Sequence, residues 1–362
     1  MHPIVVISGL SQQANERILR VEVRDEQGLH ADSLTIELDD RDAILDLPER
    51  SQTLSVSIGY EEFGLVNKGI FKVDGVTASG PPFVIKIHAK SADMSSKLKE
   101  KRNKSWENKT IGNIVSDIAE RNGLAPRISP SLANIQTDYV ALSEESDMHF
   151  LTRLAGDYDA SFQVKDNQLI FAERGELESV TGKTMTPVVV SGTRGGASGG
   201  FGDLPGELID YRCDVLQRPR HSAGEKRGWD KNKADIYFER DVSLSGSSDA
   251  NNRARYLDSG NKPDTKKKAR GKSRKGKRGR GQLSLTIVGD PLVSTETPLT
   301  VINVRTGIDG VWRVKRATHE FSGAHAYTVK IEAEKPNEDK RAEGTGKAIR
   351  ILSQGTAGSA AP

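Results

Sequence analysis

The stretch "GIFKVDGVT" (residues 69–77) recurs about 240 residues later as "GVWRVKRAT" (residues 310–318), residue class by residue class. Each copy is followed by a second matching run, "IKIHA" (85–89) in the first case and "VKIEA" (329–333) in the second. Apolar and polar residues alternate in these runs, which is the period-two pattern of a strand with one buried face. Two strands joined by a connection thus occur twice, which predicts duplicated β domains near the two ends of the chain.

Further runs of the same period surround both copies. Near the N-terminus they are "LTIEL" (34–38), "LSVSI" (54–58) and "FVIKIHA" (83–89). In the C-terminal half they are "ELIDYRCDVL" (207–216), "ADIYFE" (234–239), "LSLTI" (283–287), "PLTVINV" (298–304), "VWRVKRATHEF" (311–321) and "AYTVKIEAE" (326–334). One buried and one solvated face is typical of antiparallel sheets and barrels. The 35 glycines also favour a β-rich chain with many turns.

The pattern changes to a helical period between the two β regions. "TIGNIVSDIAERNG" (110–123) places four apolar residues on one helical stripe, with Thr110 as the N-cap and Gly123 as the C-terminal stop. "SDMHFLTRLAGDY" (146–158) repeats this scheme and begins at Ser146. "ASFQVKDNQLIFAE" (160–173) reads as a hairpin that turns at two residues, Asp and Asn, that tolerate tight turns. These elements predict a compact α/β insert after the first sheet.

The sequence therefore predicts a mainly β fold with an α/β insert, divided into five parts. The predicted parts are a first β-barrel domain (1–95), the α/β insert domain (96–175), a Gly-rich linker (176–206), a second β-barrel domain with a basic connector at 240–281 (207–335), and a flexible C-terminal tail (336–362).

A strongly basic segment interrupts the second β region. Residues 262–280 contain eleven Lys or Arg and one acid, a net charge of +10, whereas the rest of the chain has 42 basic and 49 acidic residues, a net charge of −7. Such a run can bind phosphates by releasing counterions, so nucleic acid is one candidate partner. The glycines in the run and its lack of aromatic residues for base stacking favour a protein partner, a pore lining or a connector instead. The candidate contact residues are Lys266, Lys267, Lys268, Arg270, Lys272, Arg274, Lys275, Lys277, Arg278 and Arg280.

No pattern in the sequence predicts a catalytic centre, a metal or a cofactor. "GASGG" (196–200) matches the G-x-S-x-G pattern of hydrolase nucleophiles, but it stands in a glycine-rich stretch with no helix after it. His319 and His325 lie on adjacent predicted strands without an acid or cysteine shell, so we expect structural or solvent-facing roles for them. A peptidoglycan hydrolase would need a pair of acids in a cleft or a Cys/His pair, and neither is legible.

Cysteine usage and hydropathy point to a protein made and folded in a reducing cytosol. Cys213 is the single cysteine and cannot form an intrachain disulfide. No apolar run approaches the roughly 18 residues that span a bilayer. The N-terminal "HPIVVISGL" (2–10) lacks the features of a signal peptide.

Three long stretches of the sequence are specific in combination. They are "SIGYEEFGLVNKGIFKVDGV" (57–76), "IHAKSADMSSKLKEKRNKSWENKTIGNIVSDIAERNGL" (87–124) and "EESDMHFLTRLAGDYDASFQVKDNQLIFAERG" (144–175). They resemble the phage late control D family of contractile-tail baseplate hub proteins, which is also represented in phage-tail-like bacteriocins. Near the C-terminus, "LSLTIVGDPLV" (283–293) and "GVWRVKRATHEFSG" (310–323) resemble the same family. The basic segment departs from the family pattern, where an alanine-rich helical connector is expected.

The resemblance implies a non-enzymatic trimer with two tube-like barrels per chain, related in fold to the hub part of VgrG spike proteins. It implies that the six barrels of a trimer meet a hexameric tail tube on one side and a trimeric spike on the other. The implied partners are the spike, the tube, tape-measure protein and baseplate wedge proteins, without membrane anchoring. The implied location is the bacterial host cytoplasm during assembly and the tail of the released particle afterwards.

Overall fold

The protein is described by a computed structural model that is mainly β, as the sequence predicts. The described residues are 2–27, 32–49, 51–91, 96–165, 168–174, 187–192, 206–215, 223–230, 235–240, 253–257, 267–268, 271, 281–323 and 326–336. Within them, no helix is long and apolar enough to cross a membrane. Residues 337–362 of the predicted tail lie outside the described residues.

The N-terminal six strands form the unit that we call the first repeat. Its elements are β1 (Pro3–Ser8), α1 (Gln12–Asn15), β2 (Ile18–Glu26), β3 (Ser33–Asp39), β4 (Thr53–Tyr60), β5 (Gly64–Ser79) and β6 (Val84–Ser91). Neighbouring strands pair antiparallel in the order β1-β4-β5-β6-β3-β2. The alternating residues of β3 and β4 have one fully buried face, including Ile36 and Val56, so the predicted strands are confirmed.

The α/β insert follows the first repeat and has its own core. Its elements are β7 (Lys101–Thr110), α2 (Ile111–Arg121), β8 (Ala125–Ile128), α3 (Pro130–Ala133), β9 (Gln136–Ser146), α4 (Asp147–Tyr158), β10 (Ala160–Lys165) and β11 (Gln168–Glu173). Both predicted N-caps are confirmed, because the Thr110 and Ser146 hydroxyls each accept a backbone N–H at 3.2 Å. The predicted hairpin is the β10–β11 pair.

The C-terminal region contains the second repeat and a separate small sheet. Its elements are β12 (Val188–Ser191), β13 (Leu208–Val215), β14 (Ala223–Asp230), β15 (Asp235–Arg240), β16 (Arg253–Leu257), β17 (Gly281–Val288), β18 (Pro298–Ile302), β19 (Gly310–Ser322) and β20 (Ala326–Glu334). We call β12, β13 and β17–β20 the second repeat, whose strands pair in the order β12-β18-β19-β20-β17-β13. Strands β14–β16 form a three-stranded sheet of their own.

Two strands, β12 and β16, lie in segments that the sequence predicts as a linker and a connector. β12 lies inside the predicted Gly-rich linker. Its Val188 and Val190 side chains lie in the main core, and the strand pairs parallel to β18. β16 lies inside the predicted basic connector and pairs parallel to β14. Both are short strands with a parallel partner distant in sequence, which local periodicity cannot reveal.

The two repeats match in their irregularities as well as in their strand order. The β5–β6 ladder shifts register between Val73 and Gly75, and the β19–β20 ladder shifts between Val314 and Arg316, at the aligned position. The β2–β3 and β13–β17 ladders also share a shift, after Ile18 and after Leu208 respectively. A bulge bends and twists its strand, so shared bulges mean that the two sheets have the same local shape.

Backbone dihedrals give a second, independent match between the repeats. Gly69 and the aligned Gly310 have φ of 114° and 127°, in the region that favours glycine. Ser51 and Glu296 precede β4 and β18 and have φ of 71° and 66°. Ser51 and Glu296 each donate their N–H to the carbonyl of the bulge residue of their own repeat, Val73 or Val314. The N–H of that bulge residue donates in turn to the carbonyl of the next residue, Gln52 or Thr297. The predicted duplication is therefore seen in strand order, in two bulges and in these backbone dihedrals. The first strand differs, since β1 runs antiparallel to β4 whereas β12 runs parallel to β18.

The repeats are joined edge to edge rather than closed as two separate barrels. β2 of the first repeat pairs antiparallel with the C-terminal half of β19, which makes one twelve-stranded sheet with one continuous core. Among the described strands, no closed barrel forms within a single chain. The tube-like barrels of the prediction are therefore seen as one open sheet, because β2 completes the second repeat instead of closing the first.

Candidate functional site

The junction between the repeats, which we call the seam, is the β2–β19 ladder. It runs from Ser322 opposite Arg20 to Arg316 opposite Glu26. On its polar face Arg316 binds Glu26 at 3.0 Å, and Arg20 binds Glu320 at 2.9 Å. Its other face lies in the main core. The seam therefore combines a backbone ladder, cross-strand ion pairs and apolar burial, which fixes the register between the repeats.

A buried histidine lies at the centre of the seam. The Nε2 atom of His319 lies 3.0 Å from the carbonyl oxygen of Val293, which can only accept, so Nε2 carries the proton. Nδ1 then accepts from the Tyr327 hydroxyl at 2.8 Å. Burial, reinforced by the positive charge of Lys68, holds the pKa of His319 well below its ordinary value, while burial raises that of Tyr327. His319 is thus a neutral structural residue; His325 lies outside the described residues.

The connection between β17 and β18 packs against the first repeat through polar contacts. The Tyr60 hydroxyl donates to the Gly289 carbonyl at 2.7 Å, and burial raises the pKa of that tyrosine to about 12. Lys68 Nζ donates to the Val293 carbonyl at 2.9 Å. The Asp25 carboxylate accepts from the backbone and the hydroxyl of Thr295 at 2.9 and 3.0 Å. These contacts hold the two repeats in one fixed arrangement.

Two open strand edges in the described part of the chain have a paired counterpart in the other repeat. The segment Gly75–Ser79 of β5 pairs with β6 alone, whereas the aligned half of β19 also pairs with β2. β13 pairs with β17 alone, whereas the aligned strand β2 also pairs with β19. An open edge presents unpaired N–H and C=O groups, which are a template for pairing with another chain.

Sequence reasoning does not find these edges. β2 and β13 align only through their ladders to β3 and β17, and their sequences "ILRVEVRDE" (18–26) and "LIDYRCDV" (208–215) share little. The one signal in the sequence is that Tyr211 and Cys213 stand on β13 where β2 has Val21 and Val23.

The structure places the described part of the basic segment on the insert. Of the ten predicted contact residues only Lys267 and Lys268 are described; Lys266, Arg270, Lys272, Arg274, Lys275, Lys277, Arg278 and Arg280 lie outside the described residues. Lys267 is exposed, while Lys268 is buried with its Nζ 5.5 Å from the centre of the Tyr158 ring. A Cβ on the nearby Gly271 would lie 3.0 Å from the backbone of Tyr158. This part of the segment therefore lies at the C-terminal end of α4, where a helix favours cations.

Catalytic and metal-binding arrangements do not appear among the described residues. No group of three or more His, Cys, Asp or Glu in that part of the chain could hold a metal ion. Cys213 is a free cysteine, and burial raises the pKa of its thiol. The "GASGG" stretch at 196–200 lies outside the described residues.

Comparison with known proteins gives the chain a family. A relative described as "Probable baseplate hub protein" of Escherichia phage P2 is 40% identical over 181 residues, which are 50% of this chain and 47% of that protein. The chain thus spans about half the length of this relative.

Two solved structures share the fold. The tail protein of Neisseria meningitidis MC58 matches with a TM-score of 0.67 and 13% identity, over 94% of this chain and 98% of that one. An E. coli component of the type VI secretion system, described as similar to tail proteins gp27 and gp5 of bacteriophage T4, matches with a TM-score of 0.56 and 12% identity, over 93% of this chain and 78% of that one.

Residues 72–323, more than half of the sequence, match the family described as "Phage tail baseplate hub (GPD)". The chain belongs to the phage tail baseplate hub family.

Proposed function

We propose that this baseplate hub chain joins a hexameric tail tube to a trimeric spike, as a homotrimer in a contractile phage tail or a phage-tail-like bacteriocin. The observation that supports this most is the duplicated six-stranded unit. Three chains with two similar repeats each give six similar units around one axis, which match a sixfold tube. The insert occurs once per chain and gives a threefold set, which matches a threefold spike.

The role is structural rather than enzymatic. Adapting one symmetry to another requires matching shapes and hydrogen-bonding edges, and the chain has open edges on β5 and β13 in its described part. Acidic and basic residues of the seam form ion pairs such as Arg316–Glu26 and hydrogen bonds such as Asp25–Thr295. Spike and tube are the main proposed partners, with tape-measure and wedge proteins as further ones. Assembly would take place in the host cytoplasm, before the hub enters the released particle.

The basic segment 262–280 supports a second proposal. Its net charge of +10 suits a negatively charged surface, which an acidic neighbouring subunit, a channel occupant or nucleic acid would supply. Its contact with Tyr158 favours a connector held on the insert over a free DNA-binding arm. Replacing its Lys and Arg by Gln tests the segment: impaired particle assembly or ejection supports an interface, and unchanged assembly and ejection overturns it.

The hub proposal is tested by the native mass of the chain in high salt after nuclease treatment, alone and co-expressed with the candidate spike. A species of three times 39.4 kDa, alone or bound to the spike, is the expected result. A monomer that ignores the spike and recovers nucleic acid when the salt is lowered would overturn the hub proposal in favour of nucleic-acid binding.

A further inference from the structure

We propose that β13 of one copy pairs antiparallel with residues 76–79 of β5 in the neighbouring copy, in the same register as the internal β2–β19 seam. The inference rests on the proposed trimer and adds the strands, the register and the residues of its subunit contact. The two open edges would then pair with each other, copy after copy around the ring.

The internal seam is the template for this contact. In the second repeat, the segment after the β19 bulge accepts β2 as its neighbour. The segment after the β5 bulge has the same local shape but no neighbour on that side among the described strands. β13 is the counterpart of β2, because both pair with aligned strands and share the register shift near their start. The edge that fits β5 is therefore already present in the chain, at the far end of its sheet.

Transferring the seam register gives specific residue pairs. His319 lies opposite Val23 in the seam, which translates to Ala78 opposite Cys213. By the same alignment the other pairs are Val76–Val215, Thr77–Asp214, Ser79–Arg212 and, just beyond the end of β5, Gly80–Tyr211.

Exposure of the aligned residues shows what the missing neighbour would cover. Val21 of β2 is 0% exposed, whereas the aligned Tyr211 of β13 is 37% exposed. On the other strand His319 is fully buried, whereas the aligned Ala78 is exposed. All four residues face the core side of the sheet. Val21 and His319 have the other repeat of the same chain beside them, whereas Tyr211 and Ala78 do not. A neighbouring copy would bury Ala78 and Tyr211, as the chain itself buries the aligned His319 and Val21.

Side-chain sizes also fit this pairing. In the seam the large Phe321 lies opposite the medium-sized Val21. In the transferred pair the large residue is on the other strand, with Tyr211 opposite Gly80. Each pair thus joins one large residue to a smaller one, with the large residue on opposite strands in the two cases. Because the contact joins different surfaces of successive copies, it is head-to-tail and needs closure into a ring.

A single substitution tests the register, because Cys213 is the only cysteine of the chain. Directly opposed residues of an antiparallel pair have Cα atoms about 4.5–5.5 Å apart, within the range that a disulfide bridges. Ala78→Cys should therefore form disulfides between neighbouring copies on mild oxidation, giving covalent dimers and trimers on a non-reducing gel. Ser79→Cys is the matched control, since its side chain is on the opposite face of β5 and should stay monomeric on that gel. Adding Cys213→Ser to Ala78→Cys should abolish the bands.

The native mass of each reduced variant distinguishes the possible failures. A trimer in which Ala78→Cys does not crosslink would overturn the register and leave the hub proposal standing. A monomer of the unmodified chain, with and without the spike, would contradict the hub proposal and the contact together. If Ala78→Cys disrupts the trimer, Thr77→Cys with Asp214→Cys in a Cys213→Ser background tests the same register on the outer face, and absence of crosslinks in an intact trimer would overturn it.

Discussion

The two repeats have the same strand order and share two bulges, but their surroundings differ. In the second repeat both faces of β19 are covered between Val311 and Val314: Val311 is 2% exposed and Arg313 is fully buried. In the first repeat the aligned Ile70 is 49% exposed and the aligned Lys72 is exposed as well. One backbone design is thus used once as an interior element and once as a surface element. The strand pattern is therefore the same in both units, while the residues on the outer face differ according to what lies against them.

The largest expected effect tests whether the two repeats share one core. Phe71 and Trp312 are aligned and buried in the same cluster. Phe71→Ala and Trp312→Ala should each lower the free energy of unfolding by about 3–5 kcal/mol, because each leaves a cavity in a packed core. Denaturant titration measures this. Phe63→Ala is the control, since its side chain is 72% exposed, and should stay within about 0.5 kcal/mol. Two separate unfolding transitions would contradict a shared core.

The next effect compares a buried and an exposed cation at one aligned position. Arg313 is buried between Glu296 and Glu334, and its counterpart Lys72 is exposed. Arg313→Met should lower the free energy of unfolding by about 3–5 kcal/mol, because it leaves two carboxylates without their shared cation. Lys72→Met should change it by less than about 0.5 kcal/mol. Equal effects at the two positions would mean that the surroundings of the repeats do not differ as described.

A smaller effect tests the buried histidine, which has an alanine at the aligned position of the first repeat. The pKa of His319 is lowered on folding, so the unfolded chain binds the proton more readily. The contribution of neutral His319 to the free energy of unfolding is therefore fully present above pH 6.5. It is lost progressively as the pH falls towards the pKa of the folded state, by at most about 1.4 kcal/mol per pH unit. Denaturant titration between pH 7.5 and 5, roughly the physiological range of a histidine switch, should show this slope in the unmodified chain.

Two variants assign that pH slope to one residue. His319→Gln should remove the part of the slope that His319 contributes, whatever it does to stability at neutral pH. His88→Gln changes an exposed histidine on β6 and should keep the slope. If both variants have the slope of the unmodified chain, His319 is not the group responsible.

The smallest effect concerns the basic segment. Lys268→Gln removes the cation near the Tyr158 ring and should lower the free energy of unfolding by about 0.5–1 kcal/mol. Lys267→Gln, one residue earlier and exposed, should have no measurable effect. If the two variants behave alike, the contact with the insert contributes nothing to stability.

Local patterns in the sequence predict the elements but not the seam. Period-two runs predict β3, β4, β6 and β20, and capping residues such as Thr110 and Ser146 predict where the helices begin. These signals lie within a few residues of each other. The β2–β19 pairing joins residues near 20 and near 320, and nothing local specifies it. The prediction of β12 fails for the same reason, because the strand is short and its partner β18 is distant in the sequence. Charge draws attention to the basic segment, yet charge alone does not indicate the surface that it contacts.

In the proposed ring, the second repeat of one chain completes the first repeat of the next. A cryo-electron microscopy map of the assembled hub measures this most directly, through the distance between the Cα atoms of Cys213 and of Ala78 in the neighbouring copy. We predict three chains in one ring, with that distance about 4.5–5.5 Å, as for opposed residues of an antiparallel pair. A ring in which β13 and β5 of neighbouring copies lie apart, or are paired to other proteins, would contradict it.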